Sequence, residues 1–369
     1  MLDFHYEALP GRVVFGAGAA RRELAAEVER LDAHRVLLVA TETEEPLARE
    51  LAAPLGERVV AVFTSVRPHV PLPVAEAARA LALSVRADAV LSVGGGSTTG
   101  TAKAVALTTG LPILAVPTTY AGSEVTPVWG LTERSASGTS ISTEDAHKTT
   151  GTDPVVLPRT VIYDAELTVS LPAELSAASG LNALAHCVEA FWAPRRNPIS
   201  SLAAEDGIRA LAAGLPAMHA DPADLAAREQ LLYGAYLAGS AFAVAGSGLH
   251  HKICHALGGA YDLPHAQTHA IVLPEVLAFN GPAAPDALAR IARALDTGDP
   301  VAGLRALSHQ LGIPRGLREL GMTEDQIDHA AALAAPAVPA DNPRPADEAA
   351  IREIIHAAWA GAPLASASS

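Results

Sequence analysis

Cysteine is scarce. Cys187 and Cys254 are the two present, too few for a disulfide framework, so a reducing, cytoplasmic setting is expected. Aromatic residues make up only 4% of the chain, which leaves Ala, Leu and Val to build the core. Lys and Arg number 26 against 40 Asp and Glu, and the net charge of −14 argues against a general binder of nucleic acid or anionic membrane. An anionic small molecule held in a local basic pocket stays compatible with that charge. No uninterrupted apolar run reaches membrane-spanning length. The N-terminus, from Met1 to His5, lacks the basic and apolar regions of a signal peptide. What the chain does have is 369 residues, half of them hydrophobic, enough for a large core and two domains.

The first half alternates short β-runs with helical stretches. Arg12–Gly16, Arg35–Ala40, Arg58–Phe63, Ala89–Val93, Pro112–Val116 and Thr160–Asp164 read as strands. Helical patterns over residues 19–31, 45–53 and 74–84 fall between them, which predicts a doubly wound α/β domain. The strand ending at Val93 runs into Gly94-Gly95-Gly96-Ser97-Thr98-Thr99-Gly100, with a helix expected from Thr101. Glycines let backbone N–H groups approach a ligand, and a helix N-terminus favours negative charge. A cofactor pyrophosphate would suit that turn, although it is not the GxGxxG fingerprint. Thr118, Thr119 and Ser123 follow the next strand, where ligands of open sheets bind. They are candidates for a ribose or phosphate; the plain alternative is a capping segment begun by Ser123. Val128–Glu133 and Lys148–Thr150 resemble a hairpin around an exposed Ser135–Ser142 loop, and Lys148 is a candidate cation for a cofactor or an anionic substrate.

After Leu171-Pro172 the pattern is helical only, with a frayed tail from Ala362 to Ser366. The domain boundary is placed near residue 165, giving domains 1–165 and 166–369. Ser179-Gly180 leads into a helix on which Asn182 and His186 are i, i+4 neighbours. Five of the 14 histidines fall between His250 and His269. His251 and His255 share a helix face, Gly258-Gly259 should end or loosen that helix, and Pro264 sets up a segment presenting His265. Three imidazoles could then converge, which suits a metal or proton transfer near neutral pH. A lone His on an apolar helix is usually a satisfied core residue; three at this spacing point to a site.

The residues Gly94–Lys103, Pro117–Glu124, Ser179–Glu189 and His250–His269 together resemble the iron-containing alcohol dehydrogenase superfamily, and within it the maleylacetate reductase subfamily. The likeness runs from Arg12 to about Trp359. It implies a dinucleotide-binding α/β domain followed by an all-α domain, the dehydroquinate synthase-like fold, and a homodimer. It further implies that Gly94, Gly95, Gly96, Ser97 and Thr98 hold the pyrophosphate of NADH or NADPH, and that Thr118, Thr119 and Tyr120 lie along the cofactor. Asn182, His186, His251 and His265 stand where metal-dependent members carry their four ligands, and His255 stands close to the nicotinamide. Those members have Asp where this chain has Asn182 and Gly100. Loss of the one anionic ligand weakens a divalent site, in keeping with a subfamily thought to work without a metal. Glu275 and Gln267 depart from the subfamily, which has His and Glu there.

The resemblance implies reduction of the C=C bond of maleylacetate, a small dicarboxylate, to 3-oxoadipate in aromatic-compound breakdown. His255 and His265 would be the acid/base pair, with His186, His251 and Asn182 shaping the pocket. Lys148 and Lys252 are candidates for the substrate carboxylates, with Arg195 and Arg196 weaker ones. Three rivals are a metal-dependent alcohol or aldehyde oxidoreductase of this fold, a biosynthetic relative acting on another unsaturated keto acid, and a non-catalytic NAD(P)-binding protein. An acid among Thr41-Glu42-Thr43-Glu44, after the second strand, would favour NADH if it met the ribose.

Overall fold

Branched aliphatic runs of four to six residues form the strands β1 (Arg12–Phe15), β2 (Val36–Val39), β3 (Val59–Phe63), β4 (Ala89–Gly94), β5 (Ile113–Pro117) and β8 (Thr160–Tyr163). They make one parallel sheet in the order β1-β8-β5-β4-β2-β3. The computed structural model describes residues 4–9, 11–134 and 146–361. The Ser135–Ser142 loop and the Ala362–Ser366 tail lie outside the described residues.

Both faces of this sheet are covered, so its strands read as unbroken apolar runs. Val36 and Leu38 of β2 pack with Leu91, Val93 and Leu114 against α1 (Ala19–Arg30) and α2 (Glu45–Ala52). Leu37 and Val39 point the other way, with Val90 and Ile113, onto α3 (Leu72–Ser84) and α4 (Gly96–Thr109). The strand order reverses direction between β2 and β4, so the carboxyl ends of these two strands flank the crevice where open sheets bind ligands. Asp164, just after β8, accepts hydrogen bonds from the N–H groups of Gly18 (2.9 Å) and Ala20 (3.1 Å) and ties the first helix to the end of the sheet. β6 (Val128–Arg134) and β7 (Ala146–Thr152) form a separate antiparallel pair.

The chain divides into two units, Leu9–Leu171 and Pro172–Ser369, the second grouped with Met1–Ala8. The division falls slightly beyond residue 165 because the turn Ala165–Thr168 stays with the sheet. Asp164 accepts from the N–H of Glu166, and Leu167 packs into the sheet core. The second unit is helical: α5 (Ala173–Glu189), α6 (Pro198–Ala220), α7 (Leu225–Ala245), α8 (Leu249–Tyr261), α9 (His265–Asn280), α10 (Pro285–Ala294), α11 (Pro300–Gln310), α12 (Gln326–Ala334) and α13 (Glu348–Ala360). The α/β-then-α architecture matches the reading of the sequence. Among the described residues no single helix is long and apolar enough to cross a membrane.

Three local expectations are corrected. α4 begins at Gly96 rather than Thr101, so Ser97 to Gly100 form its first turns. α5 begins at Ala173 and runs through Gly180, where a Cβ would come within 2.7 Å of Leu215; that glycine serves close helix packing. Gly258 and Gly259 do not end α8, which continues to Tyr261 and stops at Asp262 in the left-handed region (φ 51). Two glycines cost a helix about 1 kcal/mol each, which its packing against α9 and α12 outweighs.

A Cβ at Gly259 meets nothing within 4 Å, whereas one at Gly207 would lie 2.7 Å from the buried Cys187 Sγ. In urea unfolding, Gly259→Ala should therefore raise stability by about 0.5–1 kcal/mol. Gly207→Ala should lower it by about 1–3 kcal/mol. Equal shifts for the two would contradict this packing.

Candidate active site

In the first unit the glycine turn occupies the crevice side of the sheet. Gly94 has φ +148, and a Cβ there would sit 2.5 Å from both Glu44 Oε2 and Thr98 Oγ1. No other residue fits that backbone and that space. No side chain caps the N-terminus of α4 behind it, so its leading N–H groups are available to an anion. A Cβ at Gly95 would meet Thr119 at 2.9 Å, which places the Thr118–Thr119 segment directly over the turn. A dinucleotide pyrophosphate fits this cradle.

Glu44 closes the crevice from the β2 side. Its carboxylate accepts from Thr41 Oγ1 (2.9 Å) and Thr118 Oγ1 (2.6 Å), so Thr118 is engaged by a protein acid. Sequence reasoning noted Glu44 only as one of four residues after a strand. Tyr120 is a correction. Its ring is fully buried and its hydroxyl donates to Thr168 Oγ1 at 3.3 Å, so the side chain belongs to the core. Thr98 is buried with a hydroxyl that has no hydrogen-bond partner among the described residues. Ser97 and Ser123 are partly exposed. Ser123 opens a short turn rather than an α-helix, and its carbonyl accepts from Lys103 Nζ at 2.6 Å. Lys103 also donates to Thr126 and Val128; burial lowers its pKa to about 7. The side chain of Lys148 lies outside the described residues.

In the second unit α5, α8 and α9 bring the histidines together. His186 on α5 stacks on His251 of α8, with ring centroids 5.0 Å apart and planes 14° apart, and Phe242 of α7 packs against both. His255 lies one turn further along α8, 6.0 Å from His251. His265 is the first residue of α9, 4.3 Å from His269. His186 and His251 point into protein, while His255 and His265 are exposed. The i, i+4 expectation therefore holds for proximity but not for environment, because the helix face is covered at one turn and open at the next.

One residue that sequence reasoning left out organises this cluster. Glu189, at the end of α5 and fully buried, accepts from the backbone N–H groups of His250 (2.7 Å) and His251 (3.4 Å) and binds His251 Nδ1 through its other oxygen. With a carboxylate accepting at Nδ1, His251 carries its proton there and presents a bare Nε2. Gly248 leaves room for the acid: a Cβ there would fall 2.9 Å from its carboxyl oxygen. Burial pushes the Glu189 carboxyl group up, and the backbone N–H bonds oppose that. His250 and His269 were also missed as site residues. Both are fully buried, and His250 Nε2 lies 2.9 Å from His269 Nδ1.

Lys252 stands partly exposed between His251 and Ile253. Arg195 donates to the Ala243 carbonyl and Arg196 pairs with Asp341. Glu275 holds Arg305 through two oxygens at 2.8–3.1 Å, which accounts for an acid at a position where the subfamily pattern has His. Nothing in the structure explains Gln267.

Asn182 Oδ1, His186 Nδ1 and His251 Nε2 are buried without hydrogen-bond partners among the described residues, and all three are neutral donors. The carboxylate nearby, Glu189, is occupied by the α8 backbone and His251 Nδ1. Neutral donors can hold a divalent ion, but a set without a carboxylate holds it less tightly.

Model matches cover residues 10–165, described as iron-containing alcohol dehydrogenase, and 176–359, described as the C-terminal part of the Fe-containing alcohol dehydrogenase family. The chain is 50% identical to a maleylacetate reductase of Sphingobium indicum, over 98% of this chain and 99% of that one. A crystal structure of maleylacetate reductase from Agrobacterium tumefaciens superposes with a TM-score of 0.91 at 44% identity, over 98% and 99% of the two chains. An iron-containing alcohol dehydrogenase from Corynebacterium glutamicum does so with a TM-score of 0.92 at 48% identity, over 98% of each.

Burial lowers the pKa of His186, His251 and His269 well below the ordinary value and that of His250 to about 3. Each folded-state value lies below its unfolded one, so the stability is fully present above the unfolded value and is lost as pH falls through the interval between them. Buried Glu124 and Glu189 are shifted up and act in the opposite sense. Four groups against two leave a net loss of about 1–3 kcal/mol per pH unit below about pH 6. Urea unfolding between pH 7 and 5 should show it; a flat profile would contradict the buried neutral cluster.

Proposed function

The chain belongs to the iron-containing alcohol dehydrogenase family, and on that premise we propose that it reduces the C=C bond of maleylacetate to 3-oxoadipate in the breakdown of aromatic compounds. The observation that carries this is 50% identity to a maleylacetate reductase along nearly its whole length.

Bound NADH or NADPH supplies the hydride; the glycine turn from Gly94 to Thr98 and the Thr118–Thr119 segment are its proposed seat. Maleylacetate carries a double bond conjugated to a ketone, so hydride addition at the carbon β to the ketone places charge on the ketone oxygen. That enolate needs donors positioned in advance. His251 is a poor donor, since its proton faces Glu189. His255 and His265 are open to a ligand, and His265 starts α9, where the helix N-terminus favours developing negative charge. We assign them the acid/base work: one stabilises the enolate and the other delivers a proton to the α carbon. His186, His251 and Asn182 shape the pocket, and Lys252 is the proposed partner of a substrate carboxylate, with Lys148 a second candidate. The same reading makes the enzyme independent of a metal, supported by the neutral donor set at Asn182, His186 and His251. A homodimer and a cytoplasmic location complete it, the latter supported by two buried free cysteines.

NADH and NADPH oxidation with maleylacetate, before and after exhaustive chelation with metal analysis, tests both points. Turnover should survive chelation. His255→Ala and His265→Ala should each lower kcat by about 10²–10⁴-fold while retaining cofactor binding by fluorescence titration. Near-normal turnover in both variants would remove them from the mechanism. Turnover lost on chelation and restored by iron or zinc would return Asn182 and the histidines to a metal.

A further inference from the structure

Behind the His186–His251 pair lies a second group of donors of different chemistry. His250 and Cys254 are one turn apart on α8, with Cys254 Sγ 3.8 Å from His250 Nε2. His269 comes in from α9, its Nδ1 2.9 Å from the same nitrogen. The donor atoms of all three residues lie within 4.8 Å of one another, and the residues are 0%, 1% and 0% exposed. The other nitrogen of His269, Nε2, is buried without a hydrogen-bond partner among the described residues.

We propose that His250, Cys254 and His269 form a metal site for a thiophilic closed-shell cation, Zn²⁺ foremost, separate from the Asn182–His186–His251–His265 positions. Zinc takes nitrogen at about 2.0–2.1 Å and sulfur at about 2.3 Å, which sets tetrahedral donor separations of about 3.3–3.7 Å. The observed 2.9 and 3.8 Å bracket that range, and the third separation is within 4.8 Å, so side-chain movement of up to about an ångström admits an ion. Two ligands at i, i+4 on one helix and a third from its neighbour is the spacing such sites use. The set also holds what the Asn182 set lacks, a ligand that becomes anionic on binding. Zn²⁺ replaces the thiol proton, which leaves to solvent; the proton of the His250–His269 hydrogen bond moves to the far nitrogen of the ring that carries it, so each neutral imidazole offers one lone pair, and nothing is oxidised or reduced. Glu189, bonded to the N–H of His250 at 2.7 Å, adds negative charge close by. Because His265 packs on His269 at 4.3 Å, filling this site disturbs a proposed acid/base residue, and the cation acts as an inhibitor.

Cadmium tests this on the full-length, metal-free protein, because cysteine thiolate bound to cadmium gives an ultraviolet charge-transfer band that nitrogen and oxygen ligands do not. One equivalent of cadmium should produce the band in the wild type and in Cys187→Ser and Asn182→Ala, and none in Cys254→Ser or Cys254→Ala. His269→Ala should weaken binding by at least about tenfold. Circular dichroism checks that each variant is folded, and the near-isosteric Cys254→Ser covers a failure of Cys254→Ala. Zinc should lower turnover in the wild type, with recovery on chelation. No band at equimolar cadmium, or a band that persists without Cys254, overturns the site.

Discussion

The buried carboxylate of Glu189 is the constraint on which the second unit's chemistry depends. A carboxyl group removed from water is costly unless its oxygens are bonded. Here the cost is offset by backbone N–H groups at the start of α8 and by His251 Nδ1. The consequence reaches three elements at once. The end of α5 is fixed to the first turn of α8, His251 is held in one tautomer, and its ring is laid flat on His186. A residue at 248 larger than glycine would occupy the space the acid needs. The same bond turns the His251 Nδ1 proton toward Glu189, while His255 and His265 lie at exposed positions.

In the sheet unit the corresponding constraint is steric. Gly94 stands at a backbone angle and in a space that admit no Cβ, pressed between Glu44 and Thr98. That closeness brings the end of β2, the glycine turn and the Thr118 segment into one crevice, with an unshielded helix N-terminus behind them. Glu44 is drawn inward by two threonine hydroxyls, so the crevice has an acidic wall on the β2 side. Gly100 belongs to the same packing: a Cβ there would lie 2.8 Å from a methyl of Val70.

Several departures from the family pattern have a local physical account. At Asn182 the amide leaves a set of neutral donors beside the stacked imidazoles of His186 and His251. At Glu275 an acid is held by the guanidinium of Arg305, so the charge is satisfied within the fold. Softer donors, Cys254 with His250 and His269, gather one layer behind this set.

Much of this was legible in the amino-acid sequence. Apolar runs bounded by glycine and proline marked the strands, and helical periodicity after Leu171 marked the second unit. Spacing paired Asn182 with His186 and His251 with His255, because residues a helical turn apart share a face whatever the tertiary context; the family resemblance, not spacing, implied that the two pairs meet near His265. Burial was not legible. Whether a turn of α8 faces protein or a ligand depends on α5, α7 and α9, which are distant in sequence; this is why His251 is enclosed and His255 is open. Tyr120 looked like a cofactor residue because its neighbours do, yet packing sends its ring into the core. Glu189 carried no signal, since an acid ending a helix usually faces water, and His269, although i+4 from His265, fell outside the pairs that were singled out. The sequence by itself determined the order of elements, the glycine turn and the i, i+4 polar pairs on α5 and α8, all set by local geometry. The tertiary structure alone decided which polar groups are buried together, because that depends on contacts between helices that only the folded chain brings into register.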